Sequence, residues 1–198
     1  MRRRSLLTGA AVLAGCSILP QQSPVQRRDW PLDVARIPAL PARRRGKVLL
    51  VRGVRAAPGL EGRGLQWLQP DGSVHLDFYE EWAVPPAQAV EDELRQWLAD
   101  AGLVGAVSAP GSRLNADLVL EGELTAFSAD LKAGVARASL ALVLLDQRPS
   151  PIRVLLQKTE SAEVKLPGND PPAIVEALKA ALVEVLRQTE RDVAAAVR

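Results

Sequence analysis

Few residues in this chain can act as nucleophiles or as soft metal ligands. The sequence contains one cysteine, Cys16, and one histidine, His75. A cysteine reacts through its thiolate, so Cys16 could be alkylated or oxidised. Its setting favours alkylation, because residues 13–15 read Leu-Ala-Gly and small side chains let a chain lie extended in a processing peptidase. Cys16 is therefore the first candidate for covalent modification.

The segment before Cys16 is organised as an export signal. Arginines at residues 2–4 precede an apolar stretch at residues 6–14, which is the order found in signal peptides. This stretch is shorter than the roughly 20 apolar residues that a membrane-spanning helix needs. Residues 13–16 resemble the lipobox that lipoprotein signal peptidase cleaves. We expect residues 1–15 to be removed and Cys16 to carry diacylglycerol and an amide-linked acyl chain such as palmitate.

The residues on either side of the apolar stretch and of Cys16 are relevant to the export pathway and to the membrane to which the protein is attached. Residues 3–7 (RRSLL) resemble a twin-arginine signal, but arginine is also common at the start of ordinary signal peptides. Export by the Sec or the twin-arginine pathway therefore stays open, as does a secretory signal with a chance cysteine. Ser17 stands where an aspartate would retain a lipoprotein in the inner membrane. The sequence predicts attachment to the outer membrane, facing the periplasm.

The charge balance argues against a nucleic-acid partner. Removal of residues 2–4 from the 25 lysines and arginines leaves 22, against 23 acidic residues. The mature chain is thus near neutral, whereas nucleic-acid-binding proteins show a basic face. Because the anchor uses the only cysteine, the mature chain has no disulfide and must rely on its hydrophobic core. No cofactor is expected beyond the lipid on Cys16.

The rest of the chain must position any functional surface. Residues 16–28 are rich in Gln, Ser, Pro and Arg and predict a flexible tether, and residues 29–198 predict a single α+β domain. Strands are predicted at 29–34, 47–54, 65–68, 74–79, 118–126, 136–144 and 152–164. The turn at residues 70–73 (PDGS) makes the third and fourth of these a hairpin. Arg43–Arg45 form a basic cluster, which we interpret as solvated loop charge rather than a contact with lipid headgroups.

Two amphipathic helices are predicted. Pro85 and Pro86 can open the first, and Gly102 can end it. Asp170 before Pro171 predicts an N-cap for the second. The apolar stripe of this second helix comprises Ile174, Leu178, Leu182, Val185, Thr189 and Val193. We expect the stripe to pack on a sheet rather than on a membrane. The fold prediction is α+β, with an antiparallel β-sheet and both helices packed on one side.

Four segments of the chain resemble one protein family. Residues 77–86 (DFYEEWAVPP) are similar to the tyrosine and tryptophan-alanine stretch of ABC-type transport auxiliary lipoproteins, the group that includes paraquat-inducible protein C. Residues 30–33, 48–58 and 116–124 resemble further elements of that family in the same order. The first of these has Trp30 where a tyrosine is commoner.

The resemblance implies a role in lipid transport across the envelope. Such a lipoprotein assists an inner-membrane ABC transporter and its substrate-binding MCE protein, named for mammalian cell entry. It would help phospholipid or another hydrophobic molecule cross the periplasm. The aromatic residues Trp67, Phe78, Tyr79 and Trp82 are candidates for contact with the partner or with lipid, since aromatics are enriched at interfaces. The alternative is that some of them, Trp82 above all, pack between hairpin and helix.

The residue chemistry does not favour an enzyme or a metal site. A lone histidine cannot supply the several ligands of a zinc site. His75 could serve as the base of a serine triad, but no G-x-S-x-G motif accompanies it. Glu121 and Glu123 are better explained as outward positions of a strand. The alternative function is a scaffold or activator that docks on a cell-wall synthase or an outer-membrane assembly machine. Unpaired strand edges also suggest a homo-oligomer.

Overall fold

The computed structural model describes residues 26–41 and 46–198. Its elements are β1 (Arg28–Trp30), β2 (Val48–Ala56), β3 (Gly64–Leu68), β4 (Val74–Trp82), α1 (Pro86–Asp100), β5 (Ala106–Ser108), β6 (Leu118–Asp130), β7 (Val135–Asp146), β8 (Arg153–Lys165) and α2 (Pro171–Ala196). Cys16, the signal peptide, most of the tether and the Arg43–Arg45 cluster lie outside the described residues.

The sheet has eight strands and divides along β6. One edge of β6 pairs with β7 over its whole length, and β7 then pairs with β8. The other edge pairs with β2 between Leu118 and Leu124 and with β3 at Ala129 and Asp130. Strand β5 extends the β2 branch, and β4 and β1 extend the β3 branch. The molecule therefore has two short branches on one side of a three-stranded meander.

The fold class α+β is confirmed, but the prediction of an antiparallel sheet is wrong. Four of the seven strand pairings are parallel: β1 with β4, β2 with β5, β2 with β6, and β3 with β6. A parallel pair needs a crossover connection. Between β2 and β6 the chain runs through the β3–β4 hairpin, α1 and β5, which supplies that crossover. Only the consecutive strands β3–β4 and β6–β7–β8 are antiparallel, as their short loops require.

Both predicted helix starts are confirmed. Helix α1 has proline in its first turn, and Gly102 beyond its end adopts φ +61°. In α2, the Asp170 side chain accepts a hydrogen bond from the Ala173 N–H at 2.9 Å. This bond satisfies one of the N–H groups that the first helical turn leaves unpaired.

The two helices share one side of the sheet. Helix α2 lies on β6, β7 and β8, helix α1 lies on β2 and β5, and the helices contact each other. All six residues of the predicted α2 stripe are completely buried. They face the inward side chains of β6 and β7, among them Leu120 and Leu140, which are also inaccessible to solvent. At roughly 1.5–3 kcal/mol for each large aliphatic side chain, burial of this layer stabilises the fold.

The segment between β1 and β2 contacts the helices rather than the sheet. The predicted strand at residues 29–34 is shorter in the structure, and Leu32 instead enters the core with 7 % of its surface exposed. The backbone N–H of Val34 donates to Glu93 of α1 at 3.1 Å. Neither helix of the described chain combines the length and the apolar character that a bilayer crossing requires.

Candidate functional site

The N-terminal end of the described chain lies along β4. Strand β1 pairs with β4 in parallel, so that Arg28 is opposite Glu80 and Trp30 is opposite Trp82. One residue earlier, the Arg27 guanidinium donates to the backbone carbonyl of Phe78 at 3.2 Å. The chain that leads back towards Cys16 therefore leaves the structure next to the middle of β4.

A cluster of ion pairs fastens β1 to β4. Glu80 is buried, and its carboxylate accepts hydrogen bonds from Arg28 Nε and from Trp30 Nε1, each at 2.8 Å. Arg63 donates to Asp29 at 2.7 Å and to Glu81 at 2.8 Å. The complete cluster consists of Arg27, Arg28 and Arg63 with Asp29, Glu80 and Glu81. Three positive and three negative groups leave it without net charge.

Strand β4 carries a bulge directly beside this cluster. Gly64 of β3 pairs with Glu81, but Gln66 pairs with Leu76, so one β3 residue faces residues 77–80. The Asp77 carboxylate stabilises the bulge by accepting the N–H of Tyr79 at 2.7 Å and that of Glu80 at 3.0 Å. Extra residues on one strand re-aim the side chains that follow. Two consecutive aromatic residues, Phe78 and Tyr79, consequently both reach solvent.

The outward side of β4 is an apolar surface. Val74, Leu76 and Phe78 alternate along the strand and are 60 %, 41 % and 69 % exposed, and Tyr79 is 51 % exposed. We call these four residues the β4 patch. Residues at i and i+2 of a strand share one face, so Val74 and Leu76 lie side by side, and Phe78 and Tyr79 of the bulge continue the exposed surface along β4. A contiguous apolar surface of this kind marks a site of contact with another molecule or a membrane.

The structure separates the four aromatic candidates. Phe78 and Tyr79 belong to the β4 patch, whereas Trp82 is only 2 % exposed and packs in the core with its ring centroid 5.4 Å from that of Phe127. Trp82 therefore has no surface for a partner. Trp67 is half-buried against the core and stacks on His75, with ring centroids 4.2 Å apart. Val74 and Leu76 were not among the candidates, although they double the apolar part of the patch.

The stack on Trp67 defines the setting of His75. Its Nε2 lies 3.7 Å from the Asp77 carboxylate, beyond hydrogen-bonding distance. Within residues 26–41 and 46–198, no serine hydroxyl is hydrogen-bonded to this imidazole, and no three potential ligands converge as a metal site would need. Glu121 and Glu123 pair with Arg52 at 2.9 Å and Arg55 at 3.1 Å. These carboxylates thus have strand-surface partners.

The side of the sheet opposite the helices forms an open groove of about 760 Å³. Its floor is the outward face of β2, β6, β7 and β8, where Ala141 and Val143 alternate with the buried Leu142. The arginine–glutamate pairs of β2 and β6 line one wall, and Gln157 and Thr159 line the other. No element of the described chain covers this face, which makes it a candidate surface for a protein contact.

A family model described as "ABC-type transport auxiliary lipoprotein component" matches residues 32–189 of the chain. No curated protein matches the chain in sequence.

Three solved structures share the fold. Protein XCC0632 from Xanthomonas campestris is 21 % identical, with a TM-score of 0.72, and the match covers 85 % of this chain and 96 % of that one. An uncharacterized protein is 20 % identical with a TM-score of 0.63, covering 78 % and 95 %. The hypothetical protein CT253 from Chlamydia trachomatis is 12 % identical with a TM-score of 0.55, covering 76 % and 99 %.

Proposed function

This chain belongs to the family of ABC-type transport auxiliary lipoprotein components, and we propose that it serves as a non-enzymatic auxiliary component of an MCE-type ABC transporter. Held at the periplasmic face of the outer membrane, it docks the MCE protein of the transporter. The complex then helps phospholipid or another hydrophobic molecule pass between the two membranes. The chain itself supplies position and contact, without a chemical step.

The observation that carries this proposal is the extent of the family match. Residues 32–189 include every strand from β2 to β8, the whole of α1 and most of α2. The match thus concerns the helix-covered sheet without its short edge strand β1, and it includes the β4 patch. A short shared motif would give much weaker support for a common role.

The anchor in this proposal is the lipid on Cys16. Each buried CH₂ group contributes about 0.8 kcal/mol, and a single acyl chain binds only reversibly. A diacylglyceryl thioether together with an amide-linked chain gives lasting attachment. The absence of an aspartate at position 17 supports the outer membrane as the destination.

The uncovered sheet face is the proposed docking surface for the MCE protein. Its charged groups are already paired within the sheet, Arg52 with Glu121 and Arg55 with Glu123. A partner can therefore cover them without leaving an unpaired charge buried, which would cost several kcal/mol. Ala141 and Val143 give the floor of the groove an apolar centre, as the cores of protein interfaces have.

The test is native purification of the full lipidated protein from crosslinked envelopes, with mass spectrometry of proteins and lipids. Ala141→Arg places a long cation in the groove, and Ala180→Arg makes the same change on the exposed side of α2. We expect the native protein and Ala180→Arg to recover an MCE protein, and Ala141→Arg to lose it without a change in melting temperature.

The outcomes of this purification separate the candidate functions. Recovery of an MCE protein with both variants keeps the transport function and moves the docking surface elsewhere. Recovery of a cell-wall synthase or an assembly machine without any MCE protein contradicts the transport function and favours the scaffold.

Homo-oligomerisation is part of the same proposal. Strand β8 has 13 residues and, within the described chain, pairs only with β7. Its outer backbone groups can therefore pair with a second copy. Light scattering of the purified protein at micromolar concentration should give a mass above that of the monomer, and a monomer mass would contradict this part.

A further inference from the structure

We infer that the β4 patch is the surface which the protein lays against the bilayer that holds its own lipid anchor. Val74, Leu76, Phe78 and Tyr79 then enter the interfacial layer of the membrane. The inference rests on the lipid anchor at Cys16 proposed above and does not depend on the identity of the protein partner.

The side chains of the patch suit a membrane interface. Phe78 and Tyr79 are adjacent in sequence and both are more than half exposed, which the Asp77 bulge makes possible. Tyrosine is enriched where headgroups meet acyl chains, and phenylalanine and leucine are typical of surfaces that enter this layer. Val74 and Leu76 extend the same face along the strand. The patch therefore offers a row of apolar groups with an amphipathic ring at its end.

The position of the patch is set by the chain that leads to the anchor. Arg27 is hydrogen-bonded to the Phe78 carbonyl, so the chain leaves the described structure beside the patch. From Gln26 back to Cys16 there are ten residues, which span at most roughly 33–36 Å when fully extended. A tether of this length keeps the patch at a high effective concentration near the membrane, so weak contacts are sufficient.

The charges around the patch predict how it binds. The arginines beside it are paired with Asp29, Glu80 and Glu81, and His75 and Asp77 lie on the other side of the strand. Within the part of the chain that the structure describes, this cluster carries no net positive charge that would attract anionic headgroups. The contact is therefore apolar, and we expect it to be the same on neutral and on anionic lipid and to persist at high salt.

The test uses the full lipidated protein bound to phosphatidylcholine vesicles whose acyl chains carry bromine, a short-range quencher of tryptophan. Phe78→Trp places the reporter in the patch. Val154→Trp is the matched control, because Val154 is 55 % exposed but lies at the start of β8, at the opposite edge of the sheet. Tyr79→Trp serves as a second reporter in the patch. The four native tryptophans are common to all variants, and their signal is subtracted.

We expect a loss of fluorescence on brominated vesicles for Phe78→Trp and Tyr79→Trp, and none for Val154→Trp. The loss should be unchanged when phosphatidylglycerol is added or the salt is raised. If the protein floats with the vesicles but the tryptophans in the patch are not quenched, the inference is overturned, whereas the proposed lipid anchor is retained. A protein that does not float overturns both. A change of the patch reporters only on addition of the MCE protein makes the patch a protein interface and also overturns the inference.

Discussion

At the scale of single residues, Glu190 links three parts of the molecule through one carboxylate. The Arg36 guanidinium donates two hydrogen bonds to its carboxylate oxygens, at 2.8 and 2.9 Å, in a bidentate contact. The indole N–H of Trp97 in α1 donates a third, at 2.9 Å. The side chains of Arg36 and Glu190 are only 14 % and 21 % exposed, so the pair is weakly screened by solvent. The contact joins two parts of the chain, the segment between β1 and β2 and helix α1, to the same turn of α2.

Glu190→Ala should lower the free energy of unfolding by about 1–3 kcal/mol, because it leaves a buried indole N–H and a guanidinium without their acceptor. Glu184→Ala is the control on the same helix. Glu184 is 41 % exposed and only loosely paired, so its loss should change stability by no more than about 0.5 kcal/mol. Urea denaturation measures both, and equal changes would contradict the role of Glu190.

The Glu190 pair also predicts a dependence on pH. The hydrogen bond from Arg36 holds the pKa of Glu190 below its ordinary value of 4.5. A carboxyl with a lowered pKa in the folded protein contributes stability above its ordinary pKa and loses it as the pH falls through the folded value. The difference in unfolding free energy between native protein and Glu190→Gln should therefore be constant above about pH 5.5 and shrink below pH 4.5. A difference that stays constant down to pH 3 would exclude this linkage.

At the scale of elements, the β4 bulge depends on a close approach of two strands. A side chain at Gly64 would place its Cβ 2.5 Å from the carbonyl oxygen of Asp77 and 2.7 Å from a methyl group of Leu76. Only glycine lets β3 lie this near to β4 at the start of the bulge. The outward position of Phe78 and Tyr79 thus depends on a residue that has no side chain.

Gly64→Ala should lower the free energy of unfolding by about 1–3 kcal/mol, as overpacked sites do. Gly62→Ala is the matched control two residues earlier, because a Cβ there meets nothing within 4 Å. The control should be neutral or slightly stabilising, since alanine restricts the unfolded chain. Urea denaturation compares the two, and a neutral Gly64→Ala would show that the strands can separate freely.

At the scale of the whole molecule, the proposed contact surfaces lie in different places. The helices cover one side of the sheet, the groove lies on the other side, and the β4 patch lies where the chain leaves towards Cys16. If the patch rests on the membrane, the groove remains open to a partner in the periplasm. The anchor and the docking surface can then act at the same time.

The membrane to which the whole anchored molecule is attached can be tested by substitutions at Ser17. On sucrose-gradient separation of membranes, the native protein should appear with the outer membrane. Ser17→Asp should move it to the inner membrane, and Ser17→Ala should leave it in place. Cys16→Ser should abolish the acyl mass and the attachment, because no other group in the anchor can be alkylated. Acylated protein in the inner membrane without the aspartate would contradict the outer-membrane assignment.

The sequence by itself determined the features that depend on neighbours in the chain. The period of two in β6, β7 and β8 and their short loops predict an antiparallel meander, which the structure confirms. Asp170 before Pro171 marks the start of α2, and the buried stripe follows the helical period. Such signals are local, because capping and alternation act over a few residues.

Only the tertiary structure decided how distant segments meet. The parallel pairing of β2 and β3 with β6 depends on the path of the intervening chain, which alternation does not encode. In β4, the alternation of Val74, Leu76 and Phe78 with polar residues is typical of a strand with its apolar face inward. The structure turns this face outward and buries Trp82 beyond the bulge. A pattern of period two defines two faces of a strand, but which face is buried depends on the element that covers it.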